Sequence, residues 1–402
     1  MVCHLTACKR RAGPTTWRGQ PMDDQQRLAA LRQRLDAEDG LDEETFARLS
    51  AELDRGRVEF GHDEQGRLKV AVYDAKSYDV ESLQGRNQDR FALHFLPARL
   101  DEDTVGASDG YKAICVFVND VCDAEVIGRL AALGVEFIAL RCAGFNNIDL
   151  DACREHGISA ARVPEYSPYA VAEHTIGLML MLNRKLHHAY QRNRIGYFVL
   201  EGLTGFDMRG KTVGVVGTGK IGRCAVNILL GFGCRVVAVD KFPDQDWATD
   251  RGVEYVDMET LLRESDIITL HAPLFPETHH LIDAAAIERM KPGAMLINTS
   301  RGGLVDAKAL IQGLKSGKVG AAGLDVYEEE AGVFFQDLSG TVLTDDVLAR
   351  LLTFNNVVVT SHQAYLTHEA LRNIADVTFA NLQEFQQGVR GRELTNSVLP
   401  KS

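Results

Sequence analysis

The stretch Val213-Gly214-Val215-Val216-Gly217-Thr218-Gly219-Lys220-Ile221-Gly222 decides the fold. Val213 to Val216 is a short β-branched run. After the glycines, Ile221, Ala225, Ile228 and Phe232 recur at helical spacing, so the reading is strand, glycine turn, helix. In such a turn Gly217 permits the tight bend, Gly219 lets the backbone approach a pyrophosphate, and Gly222 lets helix and strand pack closely, while the helix N-terminus offers unpaired N–H groups to the phosphates. The glycine pattern alone is weak evidence. Its companion is Asp240, which ends the next strand, Arg235 to Val239, and lies 18 residues beyond Gly222. That is close to the roughly 20 residues at which a carboxylate meets a ribose 2′-hydroxyl. A carboxylate there repels a 2′-phosphate, which favours NAD over NADP; Lys241 beside it softens that preference.

Outward from this turn, short apolar runs alternate with helical segments: Val70 to Tyr73, Ala113 to Val118, Phe137 to Leu140, Val236 to Val239, Ile267 to Leu270, Met295 to Ile297, Ala322 to Val326 and Val357 to Val359. Such alternation means βαβ units, so the fold class is α/β with two doubly wound parallel sheets. From Tyr169 to about Lys185 a helical stretch follows Pro168, a residue suited to a first helical turn. Its Ala170, Val171, Ile176, Leu178, Met179, Leu180, Met181 and Leu182 leave no wide polar face, so it is expected to be buried nearly all round, between domains or between subunits. A domain boundary is placed just before it. The last helical stretch, with Leu371, Ile374, Ala375, Leu382 and Phe385 on one face, is a candidate to cross back to the first domain.

Three titratable residues stand just past the C-terminal ends of expected strands, where a doubly wound sheet places its ligands: Arg301, Glu330 and His362. Singly they read as ordinary: a solvated loop arginine, one acid of the run 328–330, a capping histidine. Together, beside a dinucleotide turn, they match what reduction of a 2-ketoacid requires. A planar guanidinium holds the substrate carboxylate by two parallel hydrogen bonds. As hydride reaches the carbonyl carbon, charge develops on the oxygen, which a facing guanidinium stabilises and a histidine protonates. A carboxylate beside that histidine favours its charged form and fixes the ring.

At this point a resemblance becomes specific. From about residue 68 to 399 the chain resembles the D-isomer-specific 2-hydroxyacid dehydrogenases, and among them most closely the NAD-dependent fermentative D-lactate dehydrogenases. The matching runs are 141–147 (Arg141 to Asn147), 163–174 (Val163 to His174), the glycine turn, 298–306 (Asn298 to Asp306), 324–328 (Leu324 to Glu328) and 362–365 (His362 to Tyr365). The resemblance implies a Rossmann-type NAD domain over 166–365 and a flavodoxin-like substrate domain made of 67–165 and 366–402. It implies that Arg301 binds substrate, that Glu330, 29 residues after that arginine, orients His362, and that His362 donates the proton. Gly217, Gly219, Lys220, Ile221, Gly222, Asp240, Ala272, Pro273, Thr278, Thr299, Ser300, Arg301 and Asp325 would line the cofactor, with Asp325 meeting the nicotinamide amide. Relatives often carry Asn where this chain has Thr278. The N–H groups of Ala143 and Gly144 would grip the substrate carboxylate, and Tyr166 and Tyr365 would shape the pocket. The implied reaction is NADH-dependent reduction of pyruvate to D-lactate. Two alternatives are a sister enzyme acting on a bulkier 2-ketoacid such as phenylpyruvate or 2-ketoisocaproate, and an NADH-sensing corepressor-like binding protein; occupancy of all three catalytic positions argues against the latter.

Composition narrows the rest. The chain has 402 residues, 45% hydrophobic and 25% charged, which is the make-up of a folded protein of two or three domains rather than a disordered one. Lys plus Arg total 44 against 56 Asp plus Glu, a net charge of −12 that repels nucleic acid and anionic lipid. No run of about 18 apolar residues exists, and no secretory signal opens the chain, so a cytoplasmic location is expected. Eight cysteines without a C-x-x-C pair read as reduced thiols. No metal is expected: the pairs His187-His188 and His279-His280 are adjacent residues taken to point apart, with no carboxylate or cysteine spacing to complete a set. The buried apolar helix from 169 favours a homodimer or homotetramer.

Residues 1–66 match nothing in the family pattern and read as an appendage, partly helical or disordered. Leu28, Leu31 and Leu35 recur at helical spacing, and Leu41-Asp42-Glu43-Glu44 opens a second short candidate helix ending near Gly56. The basic, acid-free first 22 residues invite a targeting reading, but they are poor in Ser and lack an amphipathic face; a start at Met22 accounts for the same facts.

Overall fold

The computed structural model describes residues 60–330 and 332–399. The helices expected near 28–35 and 41–56 lie outside the described residues.

Two all-parallel sheets carry the chain. In the first, β1 (Lys69–Val72), β2 (Ala92–Phe95), β3 (Ala113–Val116), β4 (Phe137–Leu140) and β5 (Ser159–Arg162) lie in the order β2-β1-β3-β4-β5. That is the flavodoxin-like winding. In the second, β6 (Thr212–Val216), β7 (Arg235–Val239), β8 (Glu254–Tyr255), β9 (Ile267–Leu270), β10 (Ala294–Asn298), β11 (Val319–Leu324) and β12 (Val357–Val359) lie in the order β12-β11-β10-β9-β6-β7-β8. This is the dinucleotide-fold winding with one further strand, and its order reverses between β6 and β9. Both sheets are coated by helices on two faces, so β3, β4, β9 and β10 are buried at every position. Such doubly buried strands read as continuous apolar runs in the sequence, which is why they were legible there.

Three strands were not foreseen. β5 is Ser-Ala-Ala-Arg, with no β-branched residue; β8 has two residues; β2 is an edge strand. Pairing with β4 makes a strand of 159–162, a tertiary effect that overrides propensity. The expected strand over Ala113 to Val118 ends at Val116, and Phe117 and Val118 leave the ladder to line the cleft between the sheets.

The helix Pro168–Asn183 starts where Ser167 Oγ accepts from the Ala170 N–H. It packs on β10, β11 and the helix Lys220–Gly231, burying Val171, Ile176, Leu178, Met179 and Leu182. Within a single chain it is not buried all round. Tyr169, Glu173 and Gly177 stay exposed, and the apolar surface continues through Tyr190, Ile195, Phe198 and Leu200, the last three 73–83% exposed. At the far end of the chain, His368–Gln386 lies on the first sheet, against β4, β5 and the helix Ser77–Asn87, where Phe379 and Phe385 stack on Phe91 and Phe137. Burying such a side chain stabilises by roughly 1.5–3 kcal/mol. Among the described residues no helix is long and apolar enough to cross a membrane.

Candidate active site

The glycine turn sits at the reversal point of the second sheet. Gly217 has φ +95°, and a Cβ on it would lie 2.7 Å from the His271 carbonyl carbon; a Cβ on Gly222 would lie 2.0 Å from the Gly217 oxygen. The chain itself requires these two glycines. Gly219 is different: its φ is −68° and a Cβ there would meet nothing within 4 Å. What a side chain would block at Gly219 is open space at the start of the helix Lys220–Gly231, whose first turn has no side-chain cap. Asp240 reaches the same turn, its Oδ2 accepting from the Thr218 N–H (2.6 Å) and hydroxyl (2.9 Å). Burial pulls this carboxyl up, but hydrogen bonds from Phe242 and Thr218 outweigh it and hold it below the usual range, so it is ionised. An uncapped helix end with an anionic acceptor on the neighbouring strand fits a dinucleotide: donors for the pyrophosphate, an acceptor for the ribose.

Between the sheets lies a cleft of about 310 Å³. Its lining brings together the three residues picked from the sequence, Arg301, Glu330 and His362, with Ala143, Gly144, Tyr166 and Tyr365. Each follows the C-terminal end of a strand or stands at the start of the segment after it, because parallel strands point all their carboxyl ends one way. The imidazole Nδ1 of His362 is 3.0 Å from Glu330 Oε1. Glu328 faces elsewhere, onto His280.

Arg301 donates to the Ser300 carbonyl (2.7 Å), and among the described residues it forms no ion pair. Its Nη2 lies 3.3 Å from where a Gly144 Cβ would stand. The Ala143 carbonyl accepts from Arg162 (2.6 Å), whereas no described residue accepts from the N–H of Ala143 or Gly144. Among the described residues, a cation without a counter-ion and two unclaimed amides thus border one small space, the donor set of an anion site.

Tyr166 and Tyr365 are joined in the aromatic wall by two residues not foreseen, Phe117 and Phe335. Phe117 and Phe335 pack edge to face at 5.5 Å, Phe117 lies 6.0 Å from Tyr365, and Phe335 lies 6.1 Å from His362. Phe117 falls inside the strand expected over Ala113 to Val118, and only the end of β3 at Val116 frees it to line the cleft. Phe335 comes from a long connection with no pattern. Beneath this wall Arg141, fully buried, stacks over Phe117 at 4.9 Å and contacts Asp79 at 3.4 Å. Cys142 in the same wall is pushed up to about 12 by burial, so it stays a thiol and not a nucleophile. Burial likewise raises Tyr166 and Tyr365, which keep their hydroxyl protons.

Other expected cofactor-lining residues have internal partners. Asp325 is fully buried; its Oδ1 accepts from the Thr360 hydroxyl and the Gln363 N–H, its Oδ2 from the Ala364 N–H, and His174 lies 3.4 Å away. Burial raises this carboxyl, but the bonds from His174, Thr360 and Ala364 prevail and keep it low. The turn it anchors contains His362, held at φ +53° with its N–H on the Asp325 carbonyl. Thr299 is bonded to Thr175, Ser300 to the Ala272 carbonyl, and the Thr278 hydroxyl to the carbonyls of Pro273 and Phe275. Lys220 is ion-paired with Glu165, across from the first sheet.

The histidine pairs do not point apart as expected. The rings of His187 and His188 stand 4.0 Å apart and both face the Asn355 carbonyl. Those of His279 and His280 stack at 3.9 Å, because His280 adopts φ +52° and turns the chain so that both rings fall on one side.

The family model described as "D-isomer specific 2-hydroxyacid dehydrogenase, NAD binding domain" matches residues 176–364. The chain is 52% identical over 322 residues to the D-lactate dehydrogenase of Escherichia coli (strain K12), covering 80% of this chain and 98% of that one. Its fold superposes on the pyruvate reductase of Chlamydomonas reinhardtii with TM-score 0.78 and 46% identity, covering 82% and 98% of the two chains. A D-2-hydroxyisocaproate dehydrogenase superposes with TM-score 0.73 and 32% identity, covering 83% and 100%. The chain belongs to the D-isomer-specific 2-hydroxyacid dehydrogenases. It is an NAD-dependent oxidoreductase of that family, and its second sheet is the core of the NAD-binding half.

Proposed function

We propose that this chain reduces pyruvate to D-lactate, reversibly, with NADH. One observation carries the reading: the Arg301 guanidinium, without a carboxylate partner among the described residues, borders the same cleft as the His362–Glu330 pair. Residues 67–165 and 366–402 act as the substrate half and 166–365 as the nucleotide half. Arg301 grips the ketoacid carboxylate through two N–H groups, aided by the N–H groups of Ala143 and Gly144. Bound NADH supplies the hydride that the ketone carbon takes up. His362 hands a proton to the ketone oxygen, while Glu330 fixes the ring through Nδ1 and offsets the charge of the imidazolium before transfer. Arg301 also faces the charge that develops on that oxygen. Phe117, Phe335, Tyr166 and Tyr365 line the cleft and exclude water.

NADH oxidation with pyruvate, followed by chiral analysis of the product, tests this directly. D-lactate is expected. The second reading is a bulkier 2-ketoacid, favoured by the aromatic lining and by the resemblance to the hydroxyisocaproate enzyme. A higher kcat/KM for 2-ketoisocaproate or phenylpyruvate than for pyruvate would select it; apolar pockets discriminate each methylene by only about 1–3 kcal/mol, so the ratio must be measured.

A further inference from the structure

Outside the catalytic cleft, one cluster has the chemistry of a ligand site. His280 Nε2 lies 2.5 Å from Glu328 Oε1 and His279 Nε2 lies 3.7 Å from the same oxygen. One ligand atom from each of the three residues falls within 4.8 Å of the others. The two imidazoles stack at 3.9 Å and present their Nε2 atoms to a single carboxylate oxygen. All three side chains keep contact with solvent, at 52%, 33% and 26% exposure, so an ion can reach them.

The backbone prepares this arrangement. His280 holds a left-handed conformation, φ +52°, that a non-glycine residue adopts at a cost. It is fixed there by its N–H on the Gly303 carbonyl, 2.8 Å. That bond ties the loop after β9 to the loop after β10, and the ring of His280 ties it to the loop after β11.

We propose that His279, His280 and Glu328 form a binding site for a divalent transition-metal ion of the zinc class. Two imidazole nitrogens and one carboxylate oxygen, with a water completing the shell, are a standard zinc donor set; at bonds of about 2.0–2.2 Å, tetrahedral donors stand roughly 3.3 Å apart. The observed 2.5 and 3.7 Å bracket that spacing. Two imidazoles in the set favour zinc, cobalt, nickel or copper over magnesium or calcium, which prefer oxygen donors.

The site couples to the catalytic cleft through the chain. Glu328 stands two residues before Glu330. Its loop is packed so tightly on Gly302, the neighbour of Arg301, that a Cβ there would lie 2.1 Å from the Tyr327 carbonyl and 2.4 Å from the Glu328 nitrogen. An ion on the cluster locks the loop after β9 to the loops holding Arg301 and Glu330, so occupancy slows turnover. This second statement rests on the function proposed above; the site itself does not.

Cobalt(II) is the probe for the site. Titrated into the full-length protein, it is expected to give a saturable visible ligand-field band at one ion per chain, displaced by zinc. His279→Asn at an exposed position and Glu328→Gln at a half-buried one should each weaken binding at least about tenfold. No saturable band, a band unchanged in both variants, or a thiolate charge-transfer band marking cysteine ligands would each overturn the proposal. For the coupling, zinc should slow NADH oxidation by the wild type and spare His279→Asn. Equal slowing of both proteins, or none in a wild type that binds cobalt, overturns the coupling alone. Absence of ketoacid reduction in the metal-free enzyme would speak against the proposed function and leave the spectrum readable.

Discussion

His362 Nδ1 and Glu330 Oε1 stand 3.0 Å apart, although 32 residues and the whole strand β12 separate them in the chain. His362→Ala is therefore expected to lower kcat for pyruvate reduction by about two to four orders of magnitude, the size typical of a lost general acid. NADH affinity, measured by fluorescence titration, should change little, because no nucleotide contact is assigned to the imidazole. Glu330→Gln should lower kcat less than His362→Ala, since the ring keeps a hydrogen-bonding neighbour. A kcat unmoved in His362→Ala would remove it from the reaction.

Asp240 accepts three bonds from Thr218 and Phe242 and is held ionised. Asp240→Ala should narrow the preference for NADH over NADPH by removing the charge that repels a 2′-phosphate. The kcat/KM ratio of the two coenzymes reads this out. An unaltered ratio would place the ribose elsewhere.

Gly217 and Gly219 separate structural from ligand demand. Gly217→Ala forces a side chain into φ +95° and against the His271 backbone, so unfolding by urea should show a loss of several kcal/mol or failure to fold. Gly219→Ala meets no atom of the chain and should leave stability within about 1 kcal/mol while raising the NADH dissociation constant at least tenfold. Equal behaviour of the two variants would contradict the assignment of Gly219 to ligand approach.

His271, just past the end of β9, has an enclosed Nδ1 with no partner among the described residues, and burial lowers its pKa to about 4. A folded-state value below the unfolded 6.5 means that the unfolded chain binds more protons across that interval. Stability from this residue is therefore present above about pH 6.5 and is lost as pH falls toward 4, by up to about 2 kcal/mol at pH 5. Urea unfolding of the coenzyme-free protein at pH 7 and pH 5 should show a smaller loss in His271→Gln than in the wild type. Equal losses would mean that the ring is charged in the native state.

Tyr190, Ile195, Phe198 and Leu200 are large apolar side chains left exposed within ten residues of one another. We expect a second copy of this chain to cover them. Sedimentation should find a dimer or larger closed oligomer for the wild type, and Phe198→Glu combined with Tyr190→Glu should shift it toward monomer. A wild-type monomer at micromolar concentration would refute this.

The residues at 213–222 and Asp240, with apolar runs buried on both faces, determined the α/β class and the nucleotide half, because a parallel strand and a phosphate turn impose local rules on residue type. Arg301 and His362 stand out because each follows a strand end that the sequence marks, whereas choosing Glu330 over Glu328 and Glu329 rested on the family resemblance. Tertiary structure alone decided what had no local signal. Pairing with β4 made a strand of Ser159–Arg162. The fold of a long connection brought Phe335 beside His362. The left-handed turn at His280 put two adjacent imidazoles on one carboxylate of a distant loop. These outcomes depend on which strand ends meet across the cleft, a relation between segments that no window of sequence contains.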